Sequence, residues 1–145
     1  MQKQRKTQSW KWLAKATKNN FQFIKPENKS MDPVLIFALS ASDIIERVKL
    51  QLGDGFSYWV ITCDSPNRDM MKTKKQLLEF GELLKIAINE ISENSVGKTL
   101  KVFPAMPVSA CVMFGHIRLP KADMPWELYD LPQGSEEYLK TITIE

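Results

Sequence analysis

The chain has 145 residues, 43% hydrophobic and 26% charged. That is one domain's length with enough apolar matter for a packed core, and it excludes global disorder. No run approaches the ~18 consecutive apolar residues of a membrane helix, and no apolar signal core follows the basic N-terminus. Cys63 and Cys111 have no metal-ligand spacing to a second Cys or His, and His116 is the single histidine. This leaves little room for a zinc site or a histidine-based triad. Reduced thiols and a cytoplasmic location are the expectation.

The net charge of +3 hides an asymmetry. Residues 1–30 hold eight Lys/Arg and one acid, whereas the rest hold twelve bases and sixteen acids. The body is therefore no generic polyanion binder, and the basic character is confined to a leader.

In chain order, the leader carries Trp10, Trp12, Leu13, Phe21, Phe23 and Ile24, too many large apolar groups for a plain linker. Trp10, Leu13 and Ala14 share a helical face, and residues 21–24 alternate like a short strand. Pro26 and the polar run to Asp32 set a boundary, giving a leader over 1–30 and a domain over 31–145. Residues 33–39 form a continuous apolar run, the mark of a strand buried on both faces of a parallel sheet. Ser42 or Asp43 is the expected N-cap of the next helix, whose stripe is Ile44, Ile45, Val48 and Leu52 and whose C-cap is Gly53. Residues 58–63 are a second buried strand, followed by the polar turn at 64–68.

A long helix is predicted over about 69–92, with Met70, Leu77, Phe80, Leu84, Ile88 and Ile91 inward. Residues 94–97 end it. Residues 100–103 are a third strand, and Pro107 fits the first turn of a further helix. That helix, 108–114, is apolar almost all round, which predicts burial, and Gly115 either allows close packing or marks its end. Residues 126–129 and 138–144 read as a fourth strand and a shorter alternating one. The order β-α-β-α-β-α-β-β predicts a single α/β domain: a mostly parallel, Rossmann-like sheet with helices on both faces.

Ligands of such sheets sit beyond the carboxyl ends of the strands. Neither GxGxxG nor GxxxxGK[ST] occurs there, so the common phosphate cradles are absent. Helix N-termini with small hydroxyl residues remain as an anion site. The candidates are Ser40, Ser42 and Asp43 after the first strand, Ser65, Asn67 and Arg68 after the second, and Met106, Pro107 and Ser109 after the third. Arg68 offers a fork to phosphate and Met106 an apolar contact to a base. Each also has an ordinary role as cap, turn or core residue. Cys63 reads as a buried structural thiol, and His116 as a core or helix-end histidine. Asp43, Asp64 and Asp130 read as cap and turn residues rather than metal ligands.

The block Phe103-Pro-Ala-Met-Pro-Val-Ser-Ala-Cys-Val-Met-Phe-Gly115, then Arg118, Pro120-Lys-Ala-Asp-Met-Pro125 and Tyr129-Asp130, resembles the C-terminal half of SAVED domains. These are sensor modules of bacterial antiphage effectors. The resemblance implies a CARF-like half of a two-half sensor for cyclic oligonucleotides, as found in CBASS and CRISPR systems. Ligand-driven oligomerisation would control an associated effector. The residues themselves offer no base, metal cluster or activated nucleophile, so no catalytic residues, no metal and no cofactor are expected. The partners implied are the cyclic oligonucleotide, an effector protein or complementary half, and further copies of the chain; a membrane is not among them. The alternatives are a protein-interaction subunit without a ligand and a ring nuclease that cleaves the cyclic ligand. Trp59, Trp126, Phe56, Met70 and Met71 exceed the apolar supply that one small sheet is expected to bury, which points to a partner surface.

Overall fold

The computed structural model describes residues 19–117, 124–132, 134, 135 and 137–144. The leader helix around Trp10, and Arg118 with the first part of the loop that follows it, lie outside the described residues. Nine elements follow one another: β1 (Phe21–Ile24), β2 (Asp32–Ala38), α1 (Ile44–Leu52), β3 (Phe56–Cys63), α2 (Lys74–Asn94), β4 (Leu100–Ala105), α3 (Val108–Ile117), β5 (Trp126–Asp130) and β6 (Leu139–Ile144).

The strands form one sheet in the order β1-β3-β2-β4-β5-β6. Its inner ladders, β3·β2, β2·β4 and β4·β5, are parallel, whereas the edge ladders β1·β3 and β5·β6 are antiparallel. The α/β class and the helices on both faces hold, but the sheet is mixed. The reason is chain length. A parallel neighbour needs a crossover of about a dozen residues or more, usually a helix. The links from β1 to β2 and from β5 to β6 carry no helix, so the chain simply reverses.

β2 is buried on both faces, as its apolar run requires. Leu35, Phe37 and Leu39 join Trp59, Ile61, Phe80, Leu84, Ile91, Val102 and Phe114 on the side of α2 and α3. Val34, Ile36 and Ala38 join Ile44, Val48, Val60, Phe103 and Tyr138 on the side of α1. The division follows from topology, because β2 leads through α1 to one side and β4 leads through α3 to the other. Crossovers of one hand then place those helices on opposite faces. The strand 21–24, read as part of the leader, is the edge strand of this same sheet, with Phe21 against Phe80 and Phe23 stacked on Trp59.

Three expectations are corrected by packing. α2 starts at Lys74, not near Asp69. Met70 and Met71 are buried from a turn, and a capping box of Thr73 and Gln76 opens the helix. α3 is not buried all round. Only Ala110 and Phe114 are buried, while Val108 and Val112 are 77% and 66% exposed, because the helix lies on one sheet face with nothing described above it. Trp59, Trp126, Met70 and Met71 are buried within this chain, so the core absorbs what looked like surplus. Gly115 neither ends α3, which runs to Ile117, nor allows a close approach, which occurs instead at Gly81 on α2. A Cβ there would stand 3.1 Å from Met113 Sδ of α3, whereas one at Gly115 would meet nothing. Gly53 caps α1 as expected, at φ 83°.

Candidate functional site

The ends of β2 and β4 are locked together. The amides of Leu39 and Ser40 both donate to the Ala105 carbonyl, each at 2.9 Å. The loop after β3 joins through the Asn67 amide, which donates to the Leu39 carbonyl at 3.0 Å. Thr62 Oγ1 donates to the Ala38 carbonyl at 2.8 Å. Three loops therefore meet around Leu39 and Ser40. Successive connections leave β2 and β4 in opposite directions here, which makes this carboxyl edge the switch point of the sheet, the place where sheets of this kind take ligands.

Ser40, half-buried, stands at this junction beside the turn of Met106 and Pro107. Pro107 sits immediately before α3 rather than within its first turn, and its carbonyl accepts from the Ala110 and Cys111 amides at 3.0 and 3.1 Å. Ser109 and Met106 are half-buried, and Met106 packs against the core from the rim. Ser42 and Asp43 are exposed at the start of α1. The expected cap is not made. Asp43 has helical φ and ψ, no side chain caps the helix, and the Asp43 carboxylate instead pairs with Arg47 at 3.6 Å. The first turn of α1 therefore has no cap from the Asp43 side chain, and the Ile45 amide donates instead to the Ser42 carbonyl at 3.4 Å. α2 differs, since Thr73 Oγ1 accepts from the Gln76 amide and closes its end.

The second loop is largely committed to its own shape. Asn67 donates from Nδ2 to the Ser65 carbonyl at 2.9 Å and accepts from the Asp69 amide through Oδ1 at 2.9 Å. The Ser65 amide is taken by Asn19. Arg68 is exposed and is the one basic side chain of residues 39–43, 64–69 and 105–109, against Asp43, Asp64 and Asp69. The nine predicted residues thus separate. Ser40, Met106, Pro107 and Ser109 lie on the two loops joined at Ala105, Ser42 and Asp43 follow at the start of α1, and Ser65, Asn67 and Arg68 stand on the neighbouring loop.

Nothing activated for catalysis appears in this set. Cys63 is buried, and burial pushes its thiol pKa up, away from the nucleophilic thiolate. Cys111 is likewise raised by burial of its sulfur against the loop. His116 is exposed in the last turn of α3, where it faces the negative end of the helix. Among the described residues no group of three or more His, Cys, Asp or Glu is placed to hold a metal, and no helix is long and apolar enough to cross a membrane.

The groups that build the junction were largely invisible to sequence reading. Leu39 and Ala105 act through backbone atoms. Asn19 and Asn20 grip the β3 loop from 44 to 46 residues away, through Asn20 N to Asp64 Oδ2 and Asn19 to Ser65. The only local signal was the pair of turn-type asparagines before an alternating segment.

No curated protein matches this chain. The family model described as "SMODS-associated and fused to various effectors sensor domain", SAVED, matches residues 1–144 and so takes in the leader as well as the body. With the FPAMPVSA turn held against the end of β2, and the match running essentially from end to end, the chain belongs to the SAVED family of sensor domains.

Proposed function

We propose that this sensor binds a cyclic oligonucleotide second messenger at the carboxyl edge of its Rossmann-like, CARF-like sheet, without turning it over, and thereby controls an associated effector in bacterial antiviral defence. The observation that carries the reading is the double donation of Leu39 and Ser40 to Ala105. It brings a hydroxyl, the start of α3 and the start of α1 to one edge of the sheet. Helix N-termini and small hydroxyls suit phosphate, and half-buried Met106 suits the face of a base. A sensor must also pass its state to another protein. The exposed ridge of Val108, Cys111 and Val112 on α3 supports association with an effector, a complementary half or a second copy.

The test is thermal shift and calorimetry with a panel of cyclic di-, tri- and tetranucleotides. A true ligand at 100 times its Kd stabilises the fold by about 2.7 kcal/mol. Ser40→Glu, which sets a negative charge at the junction, abolishes the shift while the unliganded variant keeps a cooperative melt. If no cyclic nucleotide binds the chain, alone or beside a complementary half, the ligand reading is wrong.

A further inference from the structure

β3 carries a buried hydroxyl near each of its ends. Near the amino end stands Ser57, fully buried. Its Oγ donates to the Asn28 carbonyl at 2.6 Å and accepts from the Met31 amide at 3.1 Å. It ties down the link between β1 and β2, at the edge of the sheet opposite the candidate site. Near the carboxyl end stands Thr62, 8% exposed, whose Oγ1 donates to the Ala38 carbonyl at 2.8 Å. Thr62 is in register with Ala38, on the apolar side shared with Val60, Ile36 and Ile44. Valine has nearly the same shape and suits a strand as well, while a buried hydroxyl is costly unless it is bonded. Packing alone therefore does not call for threonine there; the bond to Ala38 does.

Ala38 is the last residue of β2, and Ser40 follows two residues later. The Leu39 and Ser40 amides are taken from the β4 side, both by the Ala105 carbonyl. The carbonyls are taken from the β3 side, Leu39 by the Asn67 amide at 3.0 Å and Ala38 by Thr62. Cys63 Sγ adds only a weak contact to the Leu39 carbonyl at 4.0 Å. The exit of β2 is thus gripped by both neighbouring strands, and of these strong bonds Thr62 makes the one that depends on a side chain. The Cα atoms of Ala38 and Ser40 lie within roughly 7.6 Å of each other, so a rotation of the Ala38 peptide carries directly into Ser40. Binding groups must hold their places to about 0.5 Å to keep affinity.

Resting on the ligand reading above, we infer that Thr62 is a positioning residue of the site: its bond to Ala38 fixes the direction in which β2 delivers Ser40 and the start of α1 to the carboxyl edge. It acts through Ala38 rather than on the ligand. Ser57, on the same strand and equally buried, serves the opposite edge and has no part in the site.

The two hydroxyls make a matched pair for the test. The full 145-residue chain is compared with Thr62→Val, Thr62→Ser and Ser57→Ala. Kd is measured by calorimetry with the tightest-binding cyclic nucleotide of the panel, at a temperature where each variant is folded, and hydrogen exchange is followed at the Leu39 and Ser40 amides without ligand. Thr62→Val is expected to bind about tenfold more weakly, with faster exchange at both amides. Thr62→Ser, which restores the donor, is expected to recover most of the affinity. Ser57→Ala removes two bonds and lowers Tm at least as far, yet is expected to match the parent in affinity and in exchange at these amides. Parent-like affinity in Thr62→Val overturns the assignment and leaves the ligand reading intact. An equal loss in Ser57→Ala also overturns it, by tying affinity to stability alone, and so does a failure of Thr62→Ser to recover. If no cyclic nucleotide binds the parent, the ligand reading falls and exchange alone decides: unchanged exchange in Thr62→Val overturns the clamp, and faster exchange there but not in Ser57→Ala upholds it.

Discussion

Asn19 brackets the peptide of Ser65 from both sides, accepting from its amide at 2.9 Å and donating to its carbonyl at 3.0 Å. A single side chain so satisfies two backbone groups of a loop that otherwise lacks regular structure, and it joins the start of β1 to the end of β3.

Asn19→Ala removes both bonds at once. They are exposed, so water replaces them in part and the expected loss is about 1 kcal/mol. Denaturant unfolding measures it, and hydrogen exchange at the Ser65 amide is expected to quicken more than exchange in β2. An unchanged midpoint together with unchanged Ser65 exchange contradicts the bracket.

Gly81 of α2 faces Met113 of α3 with little room for a side chain. A branched side chain there forces Met113 away, so Gly81→Val is expected to destabilise by about 1–3 kcal/mol despite the gain in helix propensity. Met113→Ala, which takes away the opposing sulfur, is expected to recover part of that loss in the double variant. A stabilised single variant disproves the close approach.

Acid is expected to loosen the fold through two carboxylates. Hydrogen bonds from Lys25 and Lys29 hold Glu90 below its ordinary pKa, and the Lys101 hydrogen bond does the same for Glu127. A carboxylate with a depressed folded-state pKa contributes stability above its unfolded value and loses it as pH falls through the folded one. For Lys101, desolvation opposes the charge, but the bonds to Glu127 and Tyr129 outweigh it and leave its pKa raised. Its contribution is full below the unfolded value and fades as pH rises through the folded one. Glu90→Gln with Glu127→Gln is expected to flatten the acid limb of a Tm-against-pH curve. An identical limb in the variant removes these two groups as the cause.

No turnover of the ligand is expected. Incubation with each cyclic nucleotide and chromatography for linear products checks this. Cleavage lost on Ser42→Ala or Arg68→Ala would establish a ring nuclease instead.

The inner sheet was legible in the sequence because strands covered on both faces need unbroken apolar runs, and residues 33–39 and 58–63 have them. The start of α2 was not, because Met70 and Met71 are buried from a turn and so extend the helical stripe backward. The Thr73-x-x-Gln76 spacing held the correct answer. α3 misled for the opposite reason. Val108 and Val112 are apolar yet exposed, and composition cannot say which side of a helix is covered. At the site, Ser40, Met106 and Pro107 were readable as strand-end residues. The locking of Leu39 and Ser40 onto Ala105 was not, since backbone bonds between strand ends follow from register rather than from side-chain type.

The position of β1 has a consequence for synthesis. It leaves the ribosome before the other described strands of its sheet, yet its hydrogen-bond partner is β3, which in turn needs β2 beside it. Phe23 therefore has no Trp59 to cover it until residue 59 is made, and Phe21 has no Phe80 until residue 80 is. The strand translated earliest is seated after two later ones. A translational pause in that interval would leave the two phenylalanines uncovered, a moment when the chain is exposed to misassembly.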